Sequence, residues 1–512
     1  VCEPESTTPS SVPGFDVILL ESTRYNMFPA KKHFLASLAA ITLIAIAGCG
    51  GGGSVNFPPP QGGFTNANLN GPFAFSYTGS DAGGFLAVAG SFVADGAGHI
   101  TSGTQDINSG VAVSTNVASS GTYLVRADGR GTITLNSPAG TSTLDFVLVA
   151  GGHALVTRFD NRATGSGTID LQTTSAFSNA ALAGPFAFNL SGIDTGGVPL
   201  AVGGIFTSDA SGNITSGVDD SNDNGLVVTN DPMTGSIPMT STGRCTATLN
   251  TARGTLSFAY YAVDATHLKI VGTNVLPALG GEAFRQTGPF SNASVSGPFA
   301  FTIAGADLLN GNPFASGGVI TSDGAGNVSS GIQDFNDGGS VTTAVPLTGT
   351  YAMAANGRGT LTLNTAAGTF SFVIYPSSGG VQVLETDSRF VTSGTALQQQ
   401  TTPFTAASFQ GTYGMNFDAA AAGGSELDSI AEFTSDGVSK LTGIIDINNS
   451  GGITFGQSMT GTFVANANGR FAMSLQTPLG PQSTIVYLVN GNRAVFIEVD
   501  GNLVAAGDLR HQ

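Results

Sequence analysis

The chain of 512 residues contains no tryptophan, only three cysteines, and few charges, with Asp, Glu, Lys and Arg together at 10%. The cysteines are Cys2, Cys49 and Cys245, too far apart to form a disulfide framework, so packing alone must hold the fold. Cations are the scarcest class: 17 Lys and Arg stand against 34 Asp and Glu, giving a net charge of −17. Nucleic-acid binding needs clustered cations to displace counterions, so a nucleic-acid partner is excluded, as is simple adsorption to anionic lipid. The acidic balance reads as a solubility device. Also missing are a Gly-x-Ser-x-Gly elbow, a phosphate loop and a dinucleotide fingerprint. His99, His153 and His267 have no partner at ligand spacing. Catalytic residues, a metal site and a cofactor are therefore not expected, and the chain reads as non-enzymatic.

What is present is repetition. Gly71-Pro72-Phe73-Ala74-Phe75 returns as Gly184-Pro185-Phe186-Ala187-Phe188 and as Gly297-Pro298-Phe299-Ala300-Phe301, with a worn copy at Gly411-Thr412-Tyr413-Gly414-Met415. The spacings are 184 − 71 = 113, 297 − 184 = 113 and 411 − 297 = 114. A fixed period of this length means four tandem domains of about 110 residues, each large enough for its own core. The boundaries fall at 64–174, 175–287, 288–401 and 402–512. Glycine (73 residues) with Thr, Val and Phe, and little Lys or Glu, favours strands and turns over helices.

Within the first copy, Phe73, Phe75 and Tyr77 alternate with small residues, as in a half-buried strand. About eight such short strands follow one another. They are separated by Asp-Gly and Asn-Gly steps that supply the positive φ of tight hairpins. Sequential hairpins without crossover helices make an antiparallel meander, and eight strands avoid exposed edges best by closing. The expected fold is all-β, four tandem up-and-down antiparallel barrels. β-sandwich repeats are the alternative, weakened by the lack of Trp, of a Cys pair and of long crossing turns. Each copy opens with a phrase such as Phe64-Thr65-Asn66-Ala67, read as one helical turn entering the first strand. With Leu69-Asn70-Gly71-Pro72-Phe73 it resembles the opening of a lipocalin-type barrel, over about ten residues per copy and without that family's usual Trp.

Before the repeats, Lys31-Lys32 precede an apolar run from Phe34 to Ala47 that ends at Ile46-Ala47-Gly48-Cys49. A basic start, a short apolar stretch and small residues at the end form a secretory signal over residues 27–48, too short to span a membrane comfortably. The ending resembles the lipobox of bacterial lipoproteins. That resemblance implies cleavage between Gly48 and Cys49 and lipidation of Cys49. Two or more acyl chains anchor stably, each buried CH₂ contributing about 0.8 kcal/mol. Residues 49–63, with Gly50-Gly51-Gly52-Gly53-Ser54 and Pro58-Pro59-Pro60, form a flexible, partly stiffened tether. Residues 1–26 fit neither signal nor domain; they read as an overlong gene assignment ahead of Met27. Tandem Gly- and Thr-rich repeats behind a lipobox also resemble surface lipoproteins of environmental bacteria.

Two sets of polar residues recur with the period. Asp95, Asp106 and Asn108 match Asp209, Asp220 and Asn222, then Asp323, Asp334 and Asn336, then Asp436, Asp446 and Asn448. Within a set the two aspartates lie at opposite ends of one strand, which suits turn chemistry better than a compact calcium loop. Arg130, Arg244, Arg358 and Arg470 are the periodic cations. They read either as solvated turn charges or as repeated anion or glycan contacts. The paired phenylalanines read as core rather than as a ligand platform. The functional expectation is a lipid-anchored envelope protein at the outer membrane or cell surface, structural or adhesive, its barrels standing as self-sufficient beads on a tether. The alternative is a binding protein that holds a small apolar ligand or a glycan in each barrel. Its partners would be the membrane, through the anchor, and a glycan, envelope component or apolar molecule.

Overall fold

The computed structural model describes residues 63–421 and 424–512. The signal, Cys49 and nearly all of the tether lie outside the described residues. The first repeat runs β1 (Asn70–Asp81), β2 (Gly84–Asp95), β3 (His99–Asn108), β4 (Val113–Val125), β5 (Arg130–Ser137), β6 (Gly140–Val149), β7 (His153–Arg158) and β8 (Ala163–Leu171). Every neighbour pair is antiparallel, and β8 returns to pair with β1, closing an up-and-down barrel. The third and fourth repeats close in the same way. The second also closes, but its fourth strand is broken into Leu226–Pro232 and Thr234–Ser236. Pro232 has no N–H to give the ladder, and Met233 turns into the core instead.

Period-2 alternation sends Phe73, Phe75 and Tyr77 into the barrel, where they meet Phe92, Ile133 and Phe146. The other three interiors hold equivalent apolar clusters. An eight-stranded barrel is only wide enough for side chains or one small ligand, and here apolar side chains line it. The first barrel keeps a cavity of about 140 Å³ among Leu69, Phe73, Leu148, Ala154 and Ile169.

Each repeat opens with one short helical turn, such as Asn66–Asn68 or Asn179–Leu182. The aromatic just before it lies over a glycine of the Gly-Arg turn. Gly129, Gly243, Gly357 and Gly469 have φ of 80–87°. A Cβ on any of them would come within 2.5–3.1 Å of Phe64, Phe177, Phe290 or Phe404. Glycine is required there twice over, by backbone and by space.

The barrels are not separate beads. Outward positions on β1 and β2 that should face water are small and buried: Ala74, Ala87 and Ala89 pack under Ala259, Tyr261 and Val271 of the second barrel. The same surfaces join the second barrel to the third and the third to the fourth. Ile430 of the fourth barrel then packs on Val147, Val149 and Leu155 of the first. Each interface is head-to-tail, and the rotation closes after four copies. The correction to the bead-on-a-string expectation has a simple cause: apolar outer faces must be covered, and the next repeat covers them.

Candidate functional site

The recurring polar residues meet at these four seams. Asp106 accepts Arg244 Nε at 2.7 Å and Nη2 at 2.6 Å, a bidentate pair between the first and second barrels, and it also accepts the Tyr261 hydroxyl. Asp220 takes Arg358 (2.9 and 2.6 Å) and Tyr375 (2.6 Å) from the third barrel. Asp334 takes Arg470 (2.7 and 2.5 Å) and Tyr487 (2.7 Å) from the fourth. Asp446 receives Arg130 Nη1 at 2.9 Å, which ties the fourth barrel to the first. The arginine side chains are only 7–15% exposed, so they are not solvated turn charges. Burial pushes the Tyr375 and Tyr487 hydroxyls well above their ordinary value, and the adjacent aspartates add to it.

Each aspartate is held from its own barrel as well. The backbone N–H of Asn116, Asn230, Ala344 or Gly456 donates to Asp106, Asp220, Asp334 or Asp446 at 2.5–2.9 Å. All four donors sit at a fourth-strand kink with φ between 51° and 65°. Two residues on, the asparagine reaches across the seam. Asn222 Nδ2 donates to the carbonyls of Glu385, Asp387 and Phe390 at 2.7–3.1 Å. Asn336 and Asn448 do the same to the fourth and first barrels. Asp95 and its counterparts stay in their own turns, as in Ala97 N–H to Asp95 Oδ1 at 2.7 Å. Cys245 is buried, its thiol pushed up to about 12 by burial.

Where the four barrels meet, a cavity of about 540 Å³ takes its lining from all of them. The seventh and eighth strands line most of it. Equivalent positions there carry unlike residues. The seventh strands begin with His153, His267, Gly380 and Arg493. The eighth strands place Thr168, Glu282, Thr395 and Asp508 in one register position. The repeat is kept at the seams and broken at the axis.

Behind this lining, Lys269 joins its acidic residues. It is wholly buried, with Nζ 2.7 Å from Asp170 of the first barrel and 2.9 Å from Glu282. Its third donor goes to Thr168 Oγ1 at 2.6 Å. Burial opposes its charge, but the two carboxylates outweigh that and hold its pKa up. Burial likewise opposes the charge on Asp170 and Glu282. Lys269, with His153 or His267, outweighs it and holds both acids below the usual carboxylate range. His267 stacks on Phe284 at 4.5 Å and lies 3.3 Å from Glu282. From the fourth barrel, Arg493 and Arg510 reach Asp508 at 3.1 and 2.7 Å. The cavity thus presents fixed charge of both signs.

The sequence singled out Arg130, Arg244, Arg358 and Arg470, and the fold brings them to seams rather than to the cavity. It set His153 and His267 aside as lacking partners at ligand spacing, and the fold brings both to the axis. Lys269, Glu282, Arg493 and Arg510 were missed. One signal was available: Lys269 interrupts the apolar strand Leu268-Lys269-Ile270-Val271.

No family model matches the chain, and no curated protein matches it. Solved structures similar at low level include these three. CghA with Sch210972 shares 10% identity over 64% of this chain and 86% of that one, with a TM-score of 0.18. A point mutant of the vaccine antigen Transferrin Binding Protein B from Haemophilus parasuis Hp5 shares 11% over 72% and 85%, with a TM-score of 0.19. Intact Ap-TbpB, with N and C lobes, shares 10% over 70% and 84%, with a TM-score of 0.16. At these TM-scores the likenesses carry no functional argument, and the geometry of the chain itself must do so.

Proposed function

We propose that the chain is a lipid-anchored protein of the cell envelope, non-enzymatic, whose four interlocked barrels form one rigid structural or adhesive head. The observation that supports this reading most is the use of the periodic charges. Each recurring arginine is committed to an aspartate of the neighbouring barrel, so the repeated polar residues serve assembly. The lipobox-like Ile46-Ala47-Gly48-Cys49 supports the anchor, with Cys49 as the lipidated residue and the outer membrane or cell surface as the destination. Cys49→Ala is expected to move the protein from the membrane fraction to the soluble fraction, read by fractionation with a lipid label. A protein that stays membrane-bound and unlabelled in both forms sinks the anchor.

The axial cavity favours a second reading: binding of one small molecule that carries both charges, or the charged end of a glycan. A cavity of about 540 Å³ is large enough for a ligand of that class. Asp170 and Glu282 would offer such a ligand negative charge, and Arg493 and Arg510 positive charge. Native mass spectrometry of the full chain from cell extract decides between the readings. An added mass lost in Glu282→Gln supports binding; the bare mass leaves the structural head.

A further inference from the structure

At the seam that closes the cycle, three carboxylates have no paired cation among the described residues. Asp418, Glu426 and Asp428 each offer an oxygen, and these lie within 4.8 Å of one another. Asp428 is wholly buried. Its Oδ2 accepts Thr164 Oγ1 of the first barrel at 2.5 Å, while its Oδ1 has no hydrogen-bond partner. The Ser80 hydroxyl of the first barrel stands beside Glu426. Burial pushes both Glu426 and Asp428 upward, and the Asp418 charge pushes both further, with Ser80 and Asp428 opposing at Glu426.

The fold does not require these acids. Strand register gives each a counterpart in the sister repeats. Asp428 replaces Ala87, Ala201 and Ala315, which face Asn108, Asn222 and Asn336 as Asp428 faces Asn448. Asp418 replaces Thr78, Ser191 and Ala304, and Glu426 replaces Phe85, Pro199 and Pro313. Three seams close with small or apolar residues at these positions. The fourth sets two further acids beside the buried Asp428, which is costly unless something positive neutralises them.

We propose that Asp418, Glu426 and Asp428 hold a calcium ion that staples the fourth barrel to the first. The donors are all hard oxygens, which suits calcium. Ligands at about 2.4 Å from one ion sit no more than about 4.8 Å apart, as these oxygens do. Thr164, Ser80 and water would complete the shell. The ion does at this seam what the Tyr–Asp–Arg cluster does at the other three.

The test is calorimetric titration of the chelator-treated full chain with calcium chloride, paired with thermal unfolding in calcium and in EDTA. One ion per chain and a higher Tm in calcium are expected. Asp428→Ala installs the residue of the sister repeats, so it is expected to fold. It should bind no calcium and show the same Tm in both buffers. Asp418→Asn, at the solvent end, should weaken binding at least tenfold without lowering the Tm in EDTA. Absence of binding heat, a wild-type Tm indifferent to calcium, or unchanged binding in Asp428→Ala would each overturn the proposal.

Discussion

Three seams join barrels that are consecutive in the chain, and one joins its two ends. The three linked seams are near copies: an aspartate, a bidentate arginine and a tyrosine hydroxyl. In the closing seam Val147 stands where the others have Tyr261, Tyr375 and Tyr487. Arg130 divides its donors between Asp446 and its own Asp128. Ile430 fills the place of Ala89, Gly203 and Gly317, which leave room for the tyrosine ring. The change is therefore compensated in size: a large ring over a small residue becomes two branched aliphatics. A linked seam is held at high effective concentration by the chain, whereas the closing seam must bring distant parts together. The same interface geometry tolerates different chemistry, provided that volume and buried charge are both balanced.

Removing the aspartates should break the comparison most visibly. Asp334→Ala leaves Arg470 and Tyr487 without a partner in a buried seam, and the expected loss is about 3–5 kcal/mol. Asp446→Ala should cost about half as much, because Asp128 still pairs with Arg130. Urea midpoints of the two variants check this. Equal losses would mean that the closing seam is not the looser one.

Next in size is a pH effect at the linked seam between the second and third barrels. Burial raises Glu385 to about 8, with Thr392 opposing weakly and Asp387 reinforcing. Its counterpart in the closing seam is Arg158, whose carbonyl receives Asn448 as that of Glu385 receives Asn222. A carboxyl with a raised folded value contributes stability fully below the unfolded value near 4.5. That contribution is lost as pH rises towards about 8. Stability should therefore fall between pH 5 and 8 by roughly 2–4 kcal/mol from this group. Glu385→Gln should flatten the slope. An unchanged pH profile in that variant would place the titration elsewhere.

The Val147–Ile430 swap gives a sharper test of compensation. Val147→Tyr alone drives a ring into Ile430 and should cost about 1–3 kcal/mol through overpacking. Adding Ile430→Ala recreates the first linked seam, where Tyr261 lies over Ala89, and should recover most of the loss. The recovered hydroxyl would reach Asp446. A double variant no better than the single one would show that the seam differs in backbone, not only in side chains.

Much of this architecture was legible in the residues. The period, the alternation of Phe73, Phe75 and Tyr77, and the Asp-Gly punctuation act within a few positions of one another, so each repeat announces its own barrel. The seams were half legible. Asp106 and Arg244 both recur, but they lie 138 positions apart, and recurrence in every copy fits a turn role equally well. The clue to a covered face was the outward Ala74, Ala187, Ala300 and Gly414, small and apolar where a free barrel would be polar. The axis was not legible, because its side chains differ in each copy and periodicity cannot point to them. The acidic trio was hidden likewise: Asp418 and Asp428 look like ordinary turn and edge charges until register sets them against alanines.

The smallest expected effect isolates the backbone term of a seam. Ala344 holds φ at 57° so that its N–H can reach Asp334 at 2.7 Å. The closing seam has Gly456 at 65° for the same task, and a Cβ there would meet open space. A left-handed conformation costs a residue with a Cβ about 1–2 kcal/mol, while glycine loses about 0.5–1 kcal/mol more chain entropy on folding. Ala344→Gly should therefore stabilise the linked seam by roughly 0.5–1 kcal/mol, and Gly456→Ala should weaken the closing seam by a similar amount. Because neither change touches a charge or a packed atom, opposite shifts of similar size would assign the difference to φ alone. If Ala344→Gly instead lowers the urea midpoint, the kink is not strained. Its aspartate contact would then have to be set by the sheet rather than imposed on it.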